Sequence, residues 1–235
     1  MPPPRISGWR VAATLGLWIV LAAVLAGGTL LAVRFGLPGV LAAHRAAVGA
    51  VLVVQAYLSL LAALLIAFGG WRGLLDQLGF RFTAFRHLGL ALVAWITALI
   101  VGVAATALLS PLLGQPRSNA TDLLGRSFDP LFVVLIVPTV CILAPLCEEL
   151  LFRGAIFGWL RSRLPVPVAA IVSAAVFAGA HLLLPLFPEL FVFGLAAALI
   201  YQRTGSTLNS FVMHATQNTT AVLIAYAVLT RRLAG

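Results

Sequence analysis

Long apolar stretches separated by short polar ones organise this chain. Val11–Val33 is free of charge, and it is too long for the apolar core of a cleavable signal peptide, so a retained first span is predicted. Ala46–Gly70 follows, with Gln55 and Ser59 as its polar interruptions. In Trp71–His87 charges alternate with Leu and Phe, the pattern of a segment lying in the membrane interface. Leu88–Leu113 predicts a third span, and 114–130 is the longest polar connection. Leu131–Cys147 predicts a fourth, with Pro138 and Pro145 as kinks and helical patterning continuing through Leu160. Pro165–Leu184, Leu186–Tyr201 and Leu208–Leu229 complete an expected seven spans, each near the roughly 20 residues needed to cross hydrocarbon.

Composition sharpens this picture. Of 235 residues, 62% are hydrophobic and 9% charged, too few polar groups to cover a soluble globule. The fold class expected is all-α, a polytopic transmembrane helix bundle plus one interfacial amphipathic segment, in the cell membrane with lipid as its first partner. Residues 1–235 read as a single membrane domain, with N-terminal spans and polar loop in 1–129 and a candidate core in 130–230. All 15 basic residues are arginines scattered at the ends of apolar runs, which suits headgroup anchoring. No basic stripe suggests nucleic acid as a partner. Cys141 and Cys147 lie six apart on one run, point about 240° apart on a helix, and read as packing residues.

Ionisable residues within spans are costly and therefore informative. Four stand out: Glu148 and Glu149, enclosed by CILAPLC and LLF, His181 within FAGAHLLL, and His214 within FVMHATQNTT. Glu189 falls near a loop. Arg153 is four residues after Glu149, so the two share a helix face and can pair. Glu148, rotated about 100° away, is left without that partner, and a carboxylate lacking a counter-charge is suited to general-base work. Asn218 follows His214 by four, and Phe177 precedes His181 by four, where it can pack against the imidazole or wall the site.

If three helices turn Glu148, His181, and His214 with Asn218 toward one cavity, the set can activate water and stabilise an oxyanion, as peptide hydrolysis requires. Two versions stay open. Glu148, His181 and His214 could ligate one divalent metal, zinc by ligand type, with an open position for water. Alternatively, Glu148 and His181 polarise water without a metal, while His214 and Asn218 hold the oxyanion. A proton-coupled transporter using the same groups as a relay, or a non-catalytic scaffold or immunity protein, are the alternative functions.

At these residues the sequence resembles the CAAX prenyl protease and bacteriocin-processing family of intramembrane endopeptidases. Glu148-Glu149-Leu150-Leu151-Phe152-Arg153 matches its E-E-x-x-x-R motif. Phe177-Ala178-Gly179-Ala180-His181 matches F-x-x-x-H, and His214-Ala215-Thr216-Gln217-Asn218 matches H-x-x-x-N. The resemblance covers roughly Pro130–Leu229 and implies a helical membrane protease. It casts Glu148 as the base activating water, His181 as its assistant, and His214 and Asn218 as the oxyanion site. It also implies a peptide or protein substrate, prenylated in the family's eukaryotic members.

Overall fold

The computed structural model describes residues 6–36, 39, 44–115 and 130–234, and among these it is all-helical. Eight helices follow one another: α1 Gly8–Gly36, α2 Arg45–Phe68, α3 Gly70–Asp76, α4 Phe85–Leu113, α5 130–160, α6 Val166–Ala180, α7 Phe187–Thr204 and α8 Thr207–Ala234. The polar loop falls largely outside the described residues.

Among the described residues five segments are long and apolar enough to cross a membrane: α1, α2, α4, α5 from Leu131, and Leu184–Thr204 including α7. The expected count of seven is therefore approximate. The fifth expected span is only 15 residues as α6, because the chain leaves the helix at His181 and Leu182 takes a left-handed φ of 55°. The seventh, α8, is long enough, but Thr207, Asn209, Ser210, His214, Thr216, Gln217 and Asn218 make its first half polar.

Helix α5 is the hub. Leu150, Leu151, Phe152 and Ala155 on α5 join Leu60 and Leu64 of α2, Phe177 of α6, Phe193 of α7 and Met213 of α8 in one buried cluster. By contrast, only Val11 and Thr14 of α1 are buried, so α1 presents most of its surface outward from the bundle. It is tied to α2 by Trp18 Nε1, which donates to the Ala56 carbonyl at 2.9 Å, and by Gln55 paired with Thr29. In water such a surface would be an aggregation site; in lipid it is an ordinary helix face.

The segment expected in the interface, 71–87, has a further job. After α3 it runs irregularly through 77–84, and the start of α8 docks on it. Gly79 accepts from the Thr207 backbone N–H at 3.0 Å, the Arg81 carbonyl accepts from the Ser206 hydroxyl, and Asn209 donates to Thr83 Oγ1 at 3.0 Å. The serine- and asparagine-rich approach to His214 is thus fully buried yet anchored, and this docking sets where α8 enters the bundle.

Candidate active site

The site begins with the irregularity of α5. The helix is α-type over Pro130–Pro138, widens to π-type at Thr139–Leu143, returns to α over Ala144–Glu148, and widens again at Glu149–Phe157. Such π segments are rare and concentrate at functional sites. In the first, the Ala144 N–H reaches five residues back to the Thr139 carbonyl. The next bond of that register would run from residue 145 to Val140, but residue 145 is proline and has no N–H. Asn218 of α8 takes over: its Nδ2 donates to the Val140 carbonyl at 2.9 Å. Pro145 and Asn218 together therefore dock the two helices that carry the glutamate pair and His214.

The two glutamates, adjacent in sequence, face different surroundings. Glu149 is fully buried and its Oε1 meets Arg153 Nη1 at 3.0 Å and His214 Nδ1 at 2.9 Å. Arg153, also buried, lies 4.3 Å over the Phe177 ring and donates to the Gly194 carbonyl at 3.4 Å. The pairing expected from the four-residue spacing is present. Glu149 does more than balance that charge, since it holds the imidazole of α8 in place. A carboxylate at Nδ1 puts the hydrogen on that nitrogen and leaves Nε2 as the open end of the ring.

Glu148 lies apart from Arg153, as its position on the helix suggested, but it does have a hydrogen-bond donor. The Tyr57 hydroxyl, from α2, donates to its Oε1 at 2.6 Å. Tyr57 carried no signal in the sequence, because a tyrosine in an apolar run reads as an ordinary amphipathic side chain. The other oxygen, Oε2, is buried, has no hydrogen-bonding protein partner, and faces both imidazoles: His181 Nε2 at 3.9 Å and His214 Nε2 at 3.8 Å. His181 is the residue capping the end of α6 rather than one inside a helix. Its Nδ1 lies 2.8 Å from the Phe177 carbonyl and so carries the hydrogen, which again leaves Nε2 open. Both imidazoles thus turn Nε2 toward one carboxylate oxygen, at separations too long for a direct hydrogen bond.

Aromatic rings fix this arrangement. Phe177 stands edge-on to His181 at 4.7 Å between centroids and to His214 at 5.8 Å, as its spacing to His181 suggested; Phe193 lies 5.0 Å from His214. Side-chain exposure rises from 5% at His214 through 12% at Glu148 to 25% at His181, so access is from the His181 side. Nearby, Trp95 Nε1 donates to Gln217 Oε1 at 2.6 Å and Gln217 Nε2 to Glu189 Oε1 at 3.4 Å. Glu189, expected near a loop, sits in the first turn of α7.

The structure thus brings Glu148, His181 and His214 together, with Glu149, Arg153 and Phe177 behind them, and places Asn218 against the Val140 carbonyl. The donor types would suit zinc, whose nitrogen ligands lie at about 2.0–2.1 Å, putting tetrahedral neighbours roughly 3.4 Å apart. As placed, Glu148 Oε2 lies 3.9 and 3.8 Å from the two Nε2 atoms, and no group of three or more His, Cys, Asp or Glu among the described residues is positioned to hold a metal ion. Cys141 and Cys147 are buried free thiols.

The three motifs lie within the part of the chain that the comparisons with known proteins cover. Residues 130–220 match the Type II CAAX prenyl endopeptidase Rce1-like family. The matched segment holds all three motifs and leaves out α1–α4, including Tyr57. An "Uncharacterized 24.3 kDa protein" of Escherichia coli is 36% identical over 97 residues, which are 39% of this chain and 44% of that relative. The alignment therefore spans less than half of either protein. No solved structure matches.

Proposed function

We propose that this protein is an intramembrane endopeptidase that hydrolyses peptide bonds of membrane-associated substrates, with CAAX-type prenylated peptides as the class suggested by the matched family. The observation that carries the reading is the convergence of two imidazole Nε2 atoms, from the end of α6 and from α8, within 3.9 Å of one carboxylate oxygen on α5. A water between Glu148 Oε2 and His181 Nε2 can bond to both. Glu148 takes its proton as the oxygen attacks the carbonyl carbon, then returns that proton to the departing amine.

The tetrahedral intermediate carries a negative oxygen that needs a donor. His214 meets that need when its Nε2 carries a hydrogen, with Glu149 fixing the ring at Nδ1. Asn218 has one amide hydrogen committed to Val140 and a second to offer. Tyr57 is a positioning residue in this scheme: by occupying Oε1 it leaves Oε2 as the oxygen that handles the proton. Glu149 and Arg153 orient His214.

The test is cleavage of internally quenched peptides, farnesylated and unmodified, by the purified protein in vesicles with and without a chelator. Cleavage that persists with chelator is expected. Failure to cleave any peptide while the same vesicles carry a proton or ion flux would favour the relay alternative and remove the protease.

A further inference from the structure

We infer that the groove between α4 and α7 is a binding site for one acyl chain of an anionic phospholipid, with Arg86 and Arg203 holding its phosphate. This inference stands apart from the protease reading. The two helices run antiparallel, since Gly102, past the middle of α4, packs against Glu189 at the start of α7, a Cβ at residue 102 lying 3.1 Å from Glu189 Cα, while Leu90 near the start of α4 shares a groove with Arg203 at the end of α7. Between them lies an open groove of about 390 Å³, walled by Leu90, Ala94 and Val101 on one side and by Leu195 and Leu199 on the other, with Arg203 at its end.

Helical register places the charges. Arg86 precedes Leu90 by four residues, so it continues the same α4 face beyond the groove. With residue 102 level with residue 189, residue 86 falls level with the end of α7, beside Arg203. Both arginines are exposed, and the Arg81 guanidinium reaches the same level, 3.4 Å from where a Cβ on Gly205 would lie. One end of an apolar groove is therefore cationic and the other is not.

Length identifies the occupant. The α7 wall from Val192 to Arg203 rises about 16 Å at 1.5 Å per residue. That is close to half of the roughly 30 Å hydrocarbon core, the depth of one leaflet. An acyl chain entering at the headgroup level fills such a groove, and the arginines then sit at the level of its phosphate. Each arginine near an anionic surface favours binding by roughly fivefold, so the pair favours an anionic over a neutral lipid by on the order of twentyfold or more.

The test is native mass spectrometry of the full chain in detergent, with equal amounts of dioleoyl phosphatidylglycerol and dioleoyl phosphatidylcholine. Preferential retention of phosphatidylglycerol is expected. R86Q/R203Q, which changes only exposed side chains, should bring the preference close to unity, and A196F, which puts a ring into the groove, should reduce retention of both lipids. Equal retention by the wild-type protein, an unchanged preference in R86Q/R203Q, or a folded A196F that retains lipid like wild type would each overturn the assignment. So would full displacement by glycerol phosphate, which has no chain. If A196F does not fold, the arginine variant decides.

Discussion

Replacing Arg153 by methionine removes a charge from the most buried part of the molecule while keeping much of its apolar stem. Arg153 is 1% exposed and Glu149 fully buried, so no solvent can take over the role of the missing guanidinium. Glu149 loses its counter-charge while keeping the His214 contact at 2.9 Å, the Gly194 carbonyl loses its donor, and Phe177 loses the cation 4.3 Å above its ring. Removing one partner of a buried pair costs about 3–5 kcal/mol, most of it the stranded charge. Reversible unfolding in mixed micelles, followed by circular dichroism, measures this directly. The double variant R153M/E149Q also removes the stranded charge while leaving an oxygen for His214, and should recover about half of the loss, a coupling expected of groups in contact. A loss under about 1 kcal/mol in R153M, or a double variant no more stable than the single one, would show that the pair does not carry the load assigned to it.

Other consequences follow from the same contacts. Tyr57→Phe should lower kcat about 10- to 100-fold with KM unchanged, the value of one hydrogen bond to a charged group; a rise in KM alone would place Tyr57 in substrate binding instead. Asn218→Ala should cost about 1–3 kcal/mol by leaving the Val140 carbonyl unpaired. In a Pro145→Ala background it should cost clearly less, because residue 145 then supplies an N–H; equal costs in both backgrounds would break the proposed link. Gly194→Ala puts a Cβ 3.1 Å from Ala174 Cα and 3.2 Å from Phe177 Cδ1, and should destabilise by about 1–3 kcal/mol and displace the ring that sets His181. An unchanged melting temperature would count against Phe177 as the wall of the site.

Much of this site was legible from spacing alone. Glu149 with Arg153 and Phe177 with His181 are four apart, and helical periodicity put each pair on one face. The apolar flanks marked Glu148 and His214 as residues whose presence needed explaining. What spacing could not show was any contact made across the bundle by a side chain with an unremarkable sequence context. Tyr57 lies 91 residues from Glu148, and nothing local distinguishes it from a tyrosine packed for its ring. The contact of Asn218 to the Val140 carbonyl was hidden as well, because only the π register of α5 reveals the carbonyl that Pro145 leaves unpaired. The count of spans was approximate for a related reason. Hydropathy continues smoothly through FAGAHLLL, whereas the backbone turns at Leu182 and ends α6 after 15 residues. The interfacial reading of 71–87 noticed its charges but not the backbone carbonyls of Gly79 and Arg81, which receive the start of α8.

The central claim is that Glu148 moves the proton of the attacking water, and Glu148→Gln addresses it most directly. Glutamine keeps the size of the side chain and can still accept from Tyr57, so insertion and unfolding should match the wild type. The account predicts a fall in kcat of at least about a hundredfold, within the range usual for loss of a general base. A Glu148→Gln protein that cleaves the same peptide at the wild-type rate would contradict it.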